Sequence, residues 1–181
     1  MKAFAAAALY AARRHAGQVR KGAAKEPYVN HVLEVAARLA EAHPEDEALL
    51  LGGLLHDIVE DTEGTEAEIA GLFGPEVAAL VMEVTDDKSL PKPERKRLQA
   101  VHAPHRSDRA KRIKLADKAS NLAAIVDSPP AWPLARKAEY LAWARQVTDP
   151  CRAASPALAA AFDAEAARLS RHLAEAEADP A

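Results

Sequence analysis

Residues 54–62 read LLHDIVEDT. Four side chains able to bind a cation or move a proton, His56, Asp57, Glu60 and Asp61, stand in a run that is otherwise Leu, Ile and Val until Thr62. The pattern predicts a helix over 46–61. At ~100° per residue, Glu60 falls ~40° from His56, Asp57 ~100° and Asp61 ~140°. Leu51, Leu54, Leu55, Ile58 and Val59 fill the remaining arc, and residues 46–61 contain no Lys or Arg. Carboxylates in a low-dielectric surround need a cation or hydrogen-bond donors. The acidic sector therefore either meets a basic segment or holds a metal. Gly52-Gly53 costs roughly 1 kcal/mol per Gly relative to Ala inside a helix, so another backbone is expected to pack close there.

Two other predicted helices carry an odd polar residue on an apolar face. In PYVNHVLEVAARL (27–39), His31 shares a stripe with Val35 and Leu39. Alone, it reads as a core histidine bonded to backbone. In KRIKLADKASNLAAIV (111–126), Asp117 and Asn121 share a stripe four residues apart. Alone, Asp117 reads as the ion-pair partner of Lys114 or Lys118. Taken with His56-Asp57, the donors sum to two neutral imidazoles and two carboxylates, which balance one divalent cation per chain. Mixed N/O donors without sulfur suit a borderline-hard ion such as Mn2+ better than structural Zn2+. Glu60, one turn after His56, can reach past such ligands to an attacking water, with Asp61 one turn after Asp57 beside it.

The ordered motifs RKGAAKEPYVNH (20–31), LLHDIVEDT, VTDDKSLPKPERKRLQ (84–99) and KLADKASNL (114–122) carry a family resemblance. The set His31, His56-Asp57, Asp117 resembles the HD-domain metal-dependent phosphohydrolases. Over roughly residues 1–150 the wording resembles the RelA/SpoT-type hydrolase domain, most of all the stand-alone small alarmone hydrolases of the metazoan SpoT-homologue kind. The resemblance implies an all-α HD-domain bundle of about eight to ten helices around a metal site. It implies a Mn2+-dependent hydrolase that removes the 3′-pyrophosphate of (p)ppGpp, leaving GDP or GTP. The implied metal ligands are His31, His56, Asp57 and Asp117; Glu60 and Asp61 are the implied water-activating pair. Arg20, Lys21 and Asn121, and further Lys92, Arg136 and Tyr140, match positions around the nucleotide. Residues 22–26 (GAAKE) form a longer loop than the bacterial pattern, and Ala124 stands where many relatives carry Thr. The alternative substrates are the 2′-phosphate of NADPH or a nucleoside monophosphate. A binding module without catalysis is the third reading; Glu60 and Asp61 speak against it.

The whole chain fits this picture. It has 181 residues, 49% apolar and 28% charged, with net charge −3. That suits one soluble domain over 1–181, with a core of about 1–150 and a C-terminal helix near 155–176 packed on it. Helices are predicted near 2–16, 29–42, 46–61, 65–73, 75–85, 93–102, 108–127, 133–148 and 156–176. Thr65 with Glu68 forms a capping-box pattern, Pro75, Pro93 and Pro156 suit first turns, and Ser155 suits an N-cap. Leu158, Phe162, Ala166 and Leu169 form the buried stripe of the last helix, and the tail EADPA is expected to fray. The lone Cys151 excludes an intrachain disulfide, no apolar run approaches the ~20 residues of a membrane span, and MKAFAAAALYAARRHAG reads as a first helix rather than a signal peptide. A cytoplasmic protein follows, with no membrane partner, and no oligomeric state is implied. The basic stretch 92–114 lacks interleaved aromatics, so it reads as a funnel for a polyanionic nucleotide and not a nucleic-acid stripe. His102 and His105 read as turn residues.

Overall fold

The computed structural model describes residues 1–178. Ten α-helices account for most of them: α1 (Lys2–Arg14), α2 (Val29–Ala42), α3 (Glu47–Leu55), α4 (Ile58–Asp61), α5 (Glu66–Phe73), α6 (Pro75–Val84), α7 (Lys92–His102), α8 (Asp108–Asp127), α9 (Leu134–Thr148) and α10 (Pro156–Ala178). Two 3-10 segments, Ala103–His105 and Asp149–Ala154, link α7 to α8 and α9 to α10. Among the described residues the β-structure is one isolated antiparallel bridge between Val19 and Pro27. No described helix is long and apolar enough to cross a membrane. Of the tail expected to fray, residues 179–181 lie outside the described residues, and α10 continues through Ala178.

The helix boundaries follow local chemistry. Thr65 and Glu68 form the reciprocal capping box at α5, Pro75 opens α6, and Ser155 Oγ accepts from Leu158 N at the start of α10. Pro93 sits in the first turn of α7, which starts one residue earlier than expected. Gly74, at φ +95°, supplies the left-handed turn between α5 and α6.

Two apolar clusters make the core. One is built around α8, from Ile113, Leu115, Leu122 and Ile125, with Leu158, Phe162 and Leu169 of α10 packed on it. The other joins α1, α2, α3, α5 and α6 through Ala7, Val32, Leu54, Ile69 and Val81. The predicted stripe Leu158, Phe162, Ala166 and Leu169 is buried as expected. Helix α3 is apolar nearly all round, and α8 is buried on every side from Leu115 to Ser120, the signature of central helices. Together with α2, which buries His31, they carry polar groups into the interior.

The structure corrects the helix at 46–61. It breaks at His56-Asp57, where Asp57 takes φ −101°, ψ 1° and starts the short α4. The His56 ring donates from Nδ1 to the Gly53 carbonyl at 2.8 Å, giving a terminal carbonyl of α3 a side-chain partner. Glu60 and Asp61 thus belong to a separate turn, and the continuous-wheel angles from His56 do not apply to them. The glycine pair is also corrected. A Cβ at Gly52 would meet Leu80 Cδ2 at 2.7 Å and Ile113 Cδ1 at 3.2 Å. One at Gly53 would strike Leu39 Cδ1, with the Ala36 Cα at 3.7 Å. Side chains from three helices, more than a backbone, fill the space the glycines leave.

Candidate metal centre and adjoining cleft

His31, His56 and Asp117 are buried, and one donor atom from each lies within 4.8 Å of the others. They form a possible metal site. Asp57 completes the group. His31 Nε2 is 3.4 Å from Asp117 Oδ1 and 3.6 Å from Asp57 Oδ2. His56 Nε2 is 3.1 Å from the same Asp57 oxygen. Residues from α2, the α3–α4 junction and α8 are thus brought together, three of them in one mutual group with Asp57 beside the two histidines.

The hydrogen bonds behind the donors fix their protons. His56 Nδ1 carries its proton to Gly53 O, so the neutral ring presents a lone pair at Nε2. That nitrogen is buried and makes no hydrogen bond. Two imidazole nitrogens and two carboxylates facing one another in a largely buried pocket repel unless a cation or proton stands between them. Burial alone lowers His56, but Asp57 and then Asp117 reverse this and push it up to about 9. Burial raises Asp57 and Asp117, and the cationic forms of their neighbours outweigh it, His56 first for Asp57 and Lys118 first for Asp117, holding both carboxyls low. A site that draws protons this strongly fits a divalent ion.

Tyr28 was not singled out from sequence. Its hydroxyl donates to Asp57 Oδ2 at 2.6 Å and reaches Asp61 Oδ2 at 3.4 Å. Burial, then the Asp57 charge, push the phenol up, so it stays a donor. Asp117 is likewise clasped: Asn121 Nδ2 donates to Oδ1 at 2.6 Å and Lys118 Nζ to Oδ2 at 2.8 Å. The ion pair with Lys118 therefore exists beside the shared site and does not replace it.

A cleft of about 510 Å3 adjoins this group, lined by Glu60, Asp61, Lys21, Lys92, Arg136 and Tyr140 among others. Glu60 accepts from Asp86 N at 3.1 Å and Arg95 Nη1 at 3.4 Å. Burial raises its carboxyl, and Asp86 adds to the shift. Asp61 pairs with Lys88. Burial, then Lys21, Arg136 and Arg95, push Lys92 down. Crowded cations of that kind fit a polyanion. Aromatics absent from 92–114 come instead from α9: Lys96 Nζ lies 4.5 Å from the Trp143 ring centre and 5.5 Å from that of Tyr140. Arg136 stacks 4.3 Å over Trp132. A second cleft of about 270 Å3 shares Lys21, Trp132 and Tyr140 and adds Arg20, Asn121 and Ala124. Ser128, which lines it, accepts from Ala24 N through Oγ at 3.0 Å, and a Cβ at Gly22 would collide with Ser128.

Every proposed substrate residue therefore lines one of two adjoining clefts. Arg20 differs from the rest, being buried and held by Glu34 at 2.9 Å and by the Ser120 carbonyl at 3.3 Å. His102 and His105 are exposed, and the candidate metal group does not include them.

A profile of the HD domain matches residues 7–145, and this chain belongs to the HD-domain family. Within it, the chain is 50% identical over 145 residues to guanosine-3′,5′-bis(diphosphate) 3′-pyrophosphohydrolase MESH1 of Drosophila melanogaster, covering 79% of this chain and 81% of that one. The Homo sapiens protein of the same name is 50% identical over 143 residues, 78% of this chain and 80% of that one. A solved structure described as a metazoan ortholog of SpoT that hydrolyzes ppGpp superposes with TM-score 0.87 at 45% identity, over 91% of this chain and 94% of that one.

Proposed function

We propose that this chain hydrolyses the 3′-pyrophosphate of guanosine tetra- and pentaphosphate, releasing pyrophosphate and GDP or GTP, as one domain acting in the cytoplasm. The observation that carries the reading is the meeting of two imidazoles and two carboxylates beside a cleft walled by Lys21, Lys92 and Arg136. The relatives named for this activity support it.

His31, His56, Asp57 and Asp117 would hold one divalent ion, and their N/O donor set suits Mn2+. Such an ion supplies a Lewis acid that polarises a phosphoryl oxygen and acidifies water. Glu60, oriented by Arg95 and the Asp86 amide, accepts a proton from the attacking water. Asp61, steadied by Tyr28, orients that water. Lys92, Lys21 and Arg136 offset charge on the phosphates. Arg20, Asn121 and Tyr140 line the nucleoside side. Water attacks the phosphorus bonded to the ribose 3′-oxygen, that bond breaks, and the 3′-oxygen takes up a proton.

Hydrolysis of ppGpp in ¹⁸O-labelled water, read by mass spectrometry, tests the route. Label in pyrophosphate and none in GDP is the expected result. Stepwise release of orthophosphate, or turnover of NADPH with none of ppGpp, would overturn it.

A further inference from the structure

His31 has a hydrogen-bond path behind it that the proposed chemistry does not use. Its Nδ1 lies 2.9 Å from Ser120 Oγ. Ser120 is fully buried, and its hydroxyl donates to Glu34 Oε2 at 2.6 Å. The same Glu34 oxygen accepts from Arg20 Nη1 at 2.9 Å. Arg20 Nη2 closes the loop on the Ser120 carbonyl at 3.3 Å. A hydroxyl has one proton to give. With that proton committed to Glu34, Ser120 Oγ can only accept from His31 Nδ1. The neutral ring must then present its lone pair at Nε2, toward Asp57 and Asp117. His56 reaches the same state by a shorter route, through Gly53 O.

We infer that Ser120 and Glu34, clamped by Arg20, are positioning residues that lock His31 in the Nδ1–H tautomer and so prepare its Nε2 to bind a divalent ion. This rests on the metal reading above. It also gives Arg20 a task apart from substrate: its guanidinium keeps Glu34 in place as the acceptor. Outer partners of metal-bound histidines act in this way, fixing both ring orientation and tautomer.

The test takes the full chain, strips it with chelator and titrates it with Mn2+ by calorimetry. Ser120→Ala should weaken Mn2+ binding about 10–100-fold, while Ser120→Thr, which keeps the hydroxyl, should stay within about threefold of wild type. Glu34→Gln lies at the exposed rim, threatens folding least, and should cost about tenfold. Ring ¹⁵N spectra of the metal-free chain should find the His31 proton on Nδ1 in wild type and Ser120→Thr, and shifted toward Nε2 in Ser120→Ala. Wild-type affinity in both Ser120→Ala and Glu34→Gln, or a wild-type His31 protonated on Nε2, would overturn the inference. A wild type that binds no Mn2+ would instead overturn the metal reading, and the ¹⁵N spectrum would still decide the tautomer.

Discussion

Glu60 is the side chain whose environment matches its proposed task most closely. It sits in the cleft wall with one oxygen on a backbone amide and the other on Arg95. Burial and the nearby Asp86 hold its carboxyl above the ordinary value of 4.5. A base must be ionised, so activity should fall as pH drops through that raised value, and the acid limb of kcat should lie above 4.5. Glu60→Gln should lower kcat by ~10²–10⁴-fold while Mn2+ affinity stays unchanged, and it should remove that limb. A pH–rate profile and a metal titration of the same variant check both halves; normal kcat would remove Glu60 from the reaction. At this scale the sequence was most legible for donors, because His31, His56 and Asp117 each break an apolar stripe. It was least legible for the residues behind them. Glu34 and Ser120 follow His31 and Asp117 by three positions, a spacing that puts them on nearly the same face. They look like ordinary polar residues until two helices are laid side by side.

The helices were readable wherever caps and periodicity agree, as at α5 with its Thr65–Glu68 box and at α2, found over Val29–Ala42. The break at His56-Asp57 was not. Nothing in LLHDIVEDT punctuates a helix: there is no Gly or Pro between Leu54 and Thr62. The ring of His56 ends α3 by a contact that only the folded chain reveals. The 3-10 link Asp149–Ala154 was missed for a similar reason, because Pro150 reads equally well as a simple stop. The start of α3 carries its own prediction. Asp46 caps Leu49 N at 3.1 Å and pairs with Arg109 at 2.9 Å. Burial raises the Asp46 carboxyl, but Arg109 and the Leu49 amide outweigh it and hold it below 3.8. A lowered folded value stabilises the protein above pH 3.8, and that stability fades as pH falls through the folded value. Asp46→Ala should cost about 1–2 kcal/mol at neutral pH in urea unfolding, with the gap from wild type closing in acid. A gap that is constant down to acid pH would rule out the ionised cap as its source.

The molecule as a whole holds a knot of like-charged and lone-pair groups in its interior, and a cation should relieve it. At about 100 times its dissociation constant a ligand adds about 2.7 kcal/mol. At ~2–4 °C per kcal/mol for a chain of this size, Mn2+ should raise Tm by roughly 5–10 °C over the chelated protein. Differential scanning measurements with chelator and with excess Mn2+ check this, and an unchanged Tm would mean the site is not filled. Around that knot the molecule is layered: α8 offers Asp117 to the site, while α10 packs along α8 and buries Leu158, Phe162 and Leu169 in the cluster built on it. This layering bears on the order in which the chain is made. All four donors leave the ribosome before residue 156, yet the helix that covers the apolar residues of α8 follows them. Until α10 emerges, the side of α8 that packs against it stays open, a surface suited to a holding chaperone. A helix that contributes no donor atom therefore completes the packing of the helix that carries Asp117.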